Sequence, residues 1–184
     1  MLADTNIIVM PAEFSCTIIN EDLILPNVYN LSISIEPIPP IKENISIGFQ
    51  RVKYFLRSSL ADCILIHKDH KLVEHLEGFQ NNVVCLPSEP YDFYVGSVIL
   101  SKLLAISQKY FDIEQITIDS YVGERVQYTI YDPYSSGLDL SGDHWWNSDN
   151  ASTNQSNIIS WSELNLGHGS AFEPKIIKGG LSDQ

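Results

Sequence analysis

Two stretches of this chain hold residue types that carry chemistry. The first is His67-Lys68-Asp69-His70, followed further along by Ser88, Glu89 and Asp92. Two imidazoles and several carboxylates are the groups that bind a divalent metal or form an acid–base pair. HKDH matches no recognised ligand spacing, however, and each residue also has a plainer use. His70 and Glu74 suit a surface pair four apart on a helix, while Ser88, Glu89 and Asp92 suit an N-cap with first-turn acids. If this edge works, the chain is a metal-dependent hydrolase-type enzyme or a small-ligand or nucleotide sensor. Its residues are then His67, Asp69, His70, Glu89 and Asp92, with a divalent metal as the one cofactor to consider and its ligands unassigned.

The second stretch is GDHWWNSDN, residues 142–150, with Asp139 just upstream. Asp143, His144, Asn147 and Asp149 flank two tryptophans, yet no frame supplies the acidic ladder, central Gly and final Glu of a calcium loop. GxSxG, HExxH, GxxxxGK and GxGxxG are also absent, so neither a nucleophile elbow nor a phosphate loop is encoded. The aromatic rings remain. Trp145, Trp146, Trp161 and Phe172 are large apolar surfaces in a polar setting and need something to cover. They read as anchors, docked on their own domain or on a partner protein or sister subunit.

These residues hang on elements that the pattern of apolar positions predicts. EFSCTII (13–19) and VYNLSISI (29–36) are strands, with Leu31, Ile33 and Ile35 alternating against polar neighbours, and NEDLILPN is the connection between them. From Ile45 to Leu60 the positions Phe49, Val52, Leu56 and Leu60 make one helical face, and Lys53 and Arg57 lie four apart on another. ADCILIH and NNVVCLP are short apolar runs suited to strands buried on both faces, separated by a short helix from about His70 to Phe79. SEPYDFYVGSVILSKLLAISQKY is a helix capped by Ser88, in which Gly96-Ser97 permits close approach of another element. Ile113 to Asp119 and Arg125 to Tyr131 form a hairpin around YVGE.

The order β-β-α-β-α-β-α-β-β implies an α/β or α+β fold: a mixed sheet of five or six strands with about three helices, parallel in the middle and antiparallel at its ends. Parallel neighbours would open the His67 and Ser88 loops on the same edge, where open sheets take their ligands. After Asp132 the composition turns to Ser, Gly, Asn and Asp, which divides a sheet domain (1–132) from a polar, tryptophan-anchored segment (133–184).

Composition narrows the function. With 184 residues, 44% of them hydrophobic, the chain has enough material for a core. Its net charge of −12 comes from 23 acidic residues against only 11 Lys and Arg. So few cations disfavour direct contact with nucleic acid or an anionic membrane. No run approaches the ~18 apolar residues of a membrane span, and the N-terminus has no signal-peptide pattern, which predicts a cytoplasmic protein. Cys16, Cys63 and Cys85 sit in apolar runs without CxxC spacing and read as small hydrophobes.

LPSEPYDFYVGSVILSKLLAI, then ITIDSYVGERVQYTI, then GDHWWNSD resemble small proteins of unassigned function encoded by tailed bacteriophages, over residues 45–150. The resemblance implies a host-cytosol product, an accessory protein of infection or assembly, and it implies no catalytic residue. Together with the tryptophans it leads to the expected function: a small acidic binding protein without a cofactor, acting through protein–protein contacts or self-association.

Overall fold

The computed structural model describes residues 7–21, 23–37, 42–76 and 82–151. Trp161 and Phe172 lie outside the described residues. Strands β1 (Ile8–Asn20) and β2 (Leu23–Pro37) lead into helix α1 (Lys42–Tyr54), which continues as a π-helical turn over Phe55–Ser59. Then come β3 (Cys63–His67), α2 (Val73–Leu76), β4 (Val83–Leu86), α3 (Asp92–Ser107), β5 (Phe111–Ser120) and β6 (Tyr128–Ile130), with a 3-10 turn at Pro133–Ser136. The element order is the one the sequence predicts. The fold is α+β, with a six-stranded mixed sheet ordered β4-β3-β1-β2-β5-β6.

Parallel pairing is confined to β1-β3 and β3-β4, and the remaining pairs are antiparallel. The first two strands depart from expectation. Leu23, Ile24 and Leu25, read as connection, pair with Asn20, Ile19 and Ile18 and extend one long hairpin to its tip. Glu21 takes the left-handed conformation there, at φ 51°. Pro26 is tolerated inside β2 because it lies opposite Thr17, before β5 begins to pair at Tyr29; a proline whose missing N–H faces an open edge removes no ladder bond.

One face of the sheet carries the main core. Ile33, Ile35, Leu65, Ile116 and Ile118 pack beneath Val52, Phe55, Leu100 and Leu103 of the helices. A smaller cluster of Ile19, Ile64 and Ile66 lies on the other face, covered by Leu72, Val73 and Leu76 around α2. β3 is therefore buried on both sides, as its unbroken apolar run predicts.

The described part of the polar segment, residues 133–151, joins the same core. Leu140, Trp145, Trp146 and Ala151 are all buried. Fully burying one large aromatic or aliphatic side chain contributes about 1.5–3 kcal/mol, so these residues are a substantial part of the packing. Among the described residues no helix is long and apolar enough to cross a membrane.

Candidate functional site

The parallel pair β3-β4 ends at His67 and Leu86, which are partners in register. The chain then turns under Lys68, whose N–H bonds to the Leu86 carbonyl at 2.9 Å. His67 follows Leu65 and Cys63 in the two-residue alternation, so its ring emerges on the face of the main core. Glu89 approaches from the loop after β4. Its Oε1 lies 3.6 Å from His67 Nδ1, while Asp69 Oδ2 lies 3.7 Å from His67 Nε2. The imidazole is thus bracketed by two carboxylates of different character, because the Asp69 side chain is 73% exposed and that of Glu89 only 29%. Glu89 Oε2 is buried and has no hydrogen-bond partner.

The other predicted members of this edge do not join it. His70 Nδ1 accepts from the Leu72 N–H at 3.2 Å, which leaves Nε2 to donate to the Glu21 carbonyl at 2.8 Å. Both ring nitrogens are spent fixing the β1-β2 turn against the β3-α2 loop.

Asp92 is committed elsewhere. One carboxylate oxygen accepts from Tyr29 Oη at 3.0 Å, and the other accepts from Ser120 Oγ at 2.5 Å and the Glu124 N–H at 2.8 Å. Burial, and after it the charge of Asp92, pushes the Tyr29 hydroxyl far above its usual range.

Ser88 is not the helix cap either, since its Oγ bonds to the Glu89 carbonyl. α3 opens at Asp92, and the Asp92 N–H is taken by the Glu124 carboxylate at 3.1 Å. Among the described residues no three potential ligands converge to hold a metal ion, so the divalent-metal version of this edge lacks its ligand set there.

The tryptophan segment folds back toward the same region. Trp145 Nε1 donates to the Cys85 carbonyl of β4 at 2.9 Å, and Trp146 Nε1 to the Leu140 carbonyl at 3.1 Å. The His144 ring stacks on Trp146 with centroids 4.4 Å apart. Hydrogen bonds from Ser141 hold the Asp139 carboxyl below its usual range, with smaller contributions from His144 and Lys68. Asp139 therefore sits within electrostatic reach of Lys68 in the β3 loop. Asp143 is exposed.

Sequence reading missed what pins this segment. Lys102, fully buried in α3, donates to the carbonyls of Trp145 and Ser148, the latter at 2.8 Å. Arg51 donates to the carbonyls of Ile106 and Asp149, and Asn147 accepts from Ser101 Oγ at 3.0 Å. The available signal was Lys102 itself, a cation inside the apolar run VILSKLLAI. Burial lowers its ammonium to about 7.

No family model matches the chain, and no curated protein matches it by sequence. Similar solved structures include the 6-pyruvoyl tetrahydropterin synthase of Plasmodium falciparum, at 14% identity and a TM-score of 0.45, over 68% of this chain and 96% of that one. The Plasmodium vivax 6-pyruvoyltetrahydropterin synthase is similar at 13% identity and a TM-score of 0.41, over 68% and 97%. The expectation of an accessory protein that works by protein binding is corrected, because its physical basis falls away: Trp145 and Trp146, the expected docking anchors, are 8% and 3% exposed and bonded within their own fold.

Proposed function

We propose that the chain is a small-molecule enzyme of acid–base type, working at the carboxyl end of β3 and β4 with His67 as its proton-transfer group. The observation that carries this reading is the imidazole held between Glu89 and Asp69, beside a buried carboxylate oxygen of Glu89 that lacks a donor. Glu89, the less exposed acid, orients the ring through Nδ1. Nε2 then faces the more open side and exchanges the proton, with Asp69 at the rim. A buried acceptor without a partner costs about 1–3 kcal/mol, and a bound molecule with an N–H or O–H donor would recover it. The substrate class that fits is neutral or cationic and rich in N–H donors, because the groups around the ring are acidic.

Binding and proton transfer separate in the test. Millimolar 2-aminopyrimidine or benzamidine should raise the melting temperature of the wild-type chain, and Glu89→Gln should abolish the rise. His67→Asn should retain most of that binding, while losing the pH-dependent reactivity of the ring toward an imidazole-modifying reagent. If neither compound stabilises the wild type more than Glu89→Gln, the reading is wrong.

A further inference from the structure

A second site lies at the other end of β1. The pairing of β1 with β3 runs only from Cys16 to Ile19, so among the described residues β1 keeps an open edge from Ile8 to Phe14. Against this edge stands the C-terminal end of α1 and its π turn. Between them is a cleft of about 530 Å³ whose apolar floor is Met10, Pro11, Ala12, Leu31 and Leu56. Lys53 and Arg57 line it from the helix, and Glu13 and Asn30 from the sheet. Since His67 follows Ile66, the partner of Ile19, the cleft lies roughly 20–30 Å from His67 at ~3.3 Å per strand residue. It is a separate site.

Three observations bear on what it takes. Its volume falls in the range of small-molecule pockets, roughly 300–1,000 Å³. Lys53 and Arg57 are both exposed, with no carboxylate partner among the described residues, in a chain with only 11 cations. Like charges four apart on a helix repel, so the pair costs the free protein stability that an anion between them would recover. The helix also widens at this point: the Leu60 N–H reaches back five residues to the Phe55 carbonyl at 3.1 Å. Such π turns inside helices concentrate at functional sites.

An extended peptide fits less well. Asp62 N–H bonds to the Ser15 carbonyl, so alternate residues Glu13, Pro11 and Val9 turn their backbone groups to the open edge. Pro11, at the centre, has no N–H to offer, and a proline there blunts strand addition. We infer that this cleft binds a small amphipathic organic anion, its apolar body on the Met10–Leu56 floor and its charged head between Lys53 and Arg57.

The probes are 8-anilinonaphthalene-1-sulfonate and octanoate, with octanol as the uncharged control. The full chain should enhance the sulfonate's fluorescence saturably at one site, and octanoate should displace it where octanol at equal concentration does not. The double variant Lys53→Ala/Arg57→Ala should bind octanoate at least about ten-fold more weakly, with a melting temperature no lower than the wild type's, because both side chains are exposed and their mutual repulsion is gone. Glu13→Gln should bind it more tightly, since a like charge leaves the cleft, and this variant separates a charge effect from damage to the fold. The inference is overturned if octanol competes as well as octanoate, if both variants bind like the wild type, or if the wild type binds neither probe.

Discussion

Asp92 shows how a residue with the chemistry of a site can serve the fold instead. Its side chain is 1% exposed and accepts from Tyr29, Ser120 and Glu124, which stand on β2, at the end of β5 and in the following loop. One carboxylate thus ties the start of α3 to the β2-β5 end of the sheet. Asp92→Ala leaves three donors without an acceptor, two of them hydroxyls. Each buried unsatisfied group costs about 1–3 kcal/mol, so the variant should lose about 3–5 kcal/mol in urea denaturation. Asp92→Asn should lose less, because the amide oxygen still accepts. If this knot is only structural, the variants' ligand response at His67 stays intact at temperatures where they remain folded.

At the scale of elements, the order of strands and helices was legible because it rests on local periodicity. The alternation of Leu31, Ile33 and Ile35 and the unbroken CILI run each declare a strand within a few residues. What was not legible depends on partners far along the chain. The start of α3 is set by Glu124, 32 residues away, and no local pattern around Ser88 could reveal it. Leu23-Ile24-Leu25 became strand because β1 runs far enough to pair with it.

Of the predicted edge residues, the structure brings His67, Asp69 and Glu89 together, because parallel neighbours share an edge. His70 and Asp92 are drawn away from it by partners, Glu21 and Tyr29, that lie 49 and 63 positions away. Gly96 was read correctly as a close approach: a Cβ there would meet Ile130 Cδ1 at 2.5 Å and Ile118 Cγ2 at 2.8 Å. Overpacking of this kind costs about 1–3 kcal/mol. Gly96→Ala should therefore lower the urea midpoint without changing the denaturant slope, and Gly96→Val should lower it further.

For the molecule as a whole, the tryptophan segment and the sheet are joined through a buried cation, and that coupling has a pH signature. Burial pulls Lys102 down from 10.5 to about 7, an effect that Asp149 opposes and Arg51 reinforces. Between these two values the unfolded chain carries a proton on this lysine that the folded chain does not. Stability contributed by this group therefore rises with pH from about 7 to about 10.5, and is least below 7.

The buried thiols act the other way. Burial pushes Cys16 up to about 12 and Cys63 well above 9.0, so above pH 9 the unfolded thiols release protons that the folded ones keep. The comparison that isolates Lys102 is the difference between the wild type and Lys102→Met, in which the cysteine contributions cancel. That difference in unfolding free energy should grow in favour of the wild type as pH rises from 7 to 10. At pH 6 it should be smallest, because the methionine variant is relieved of a buried charge but leaves the Trp145 and Ser148 carbonyls without a donor. A difference independent of pH would mean that Lys102 keeps its proton in the folded protein, stabilised by those two carbonyls and Asp149. The segment would then be held by a permanent buried charge and not by a neutral amine.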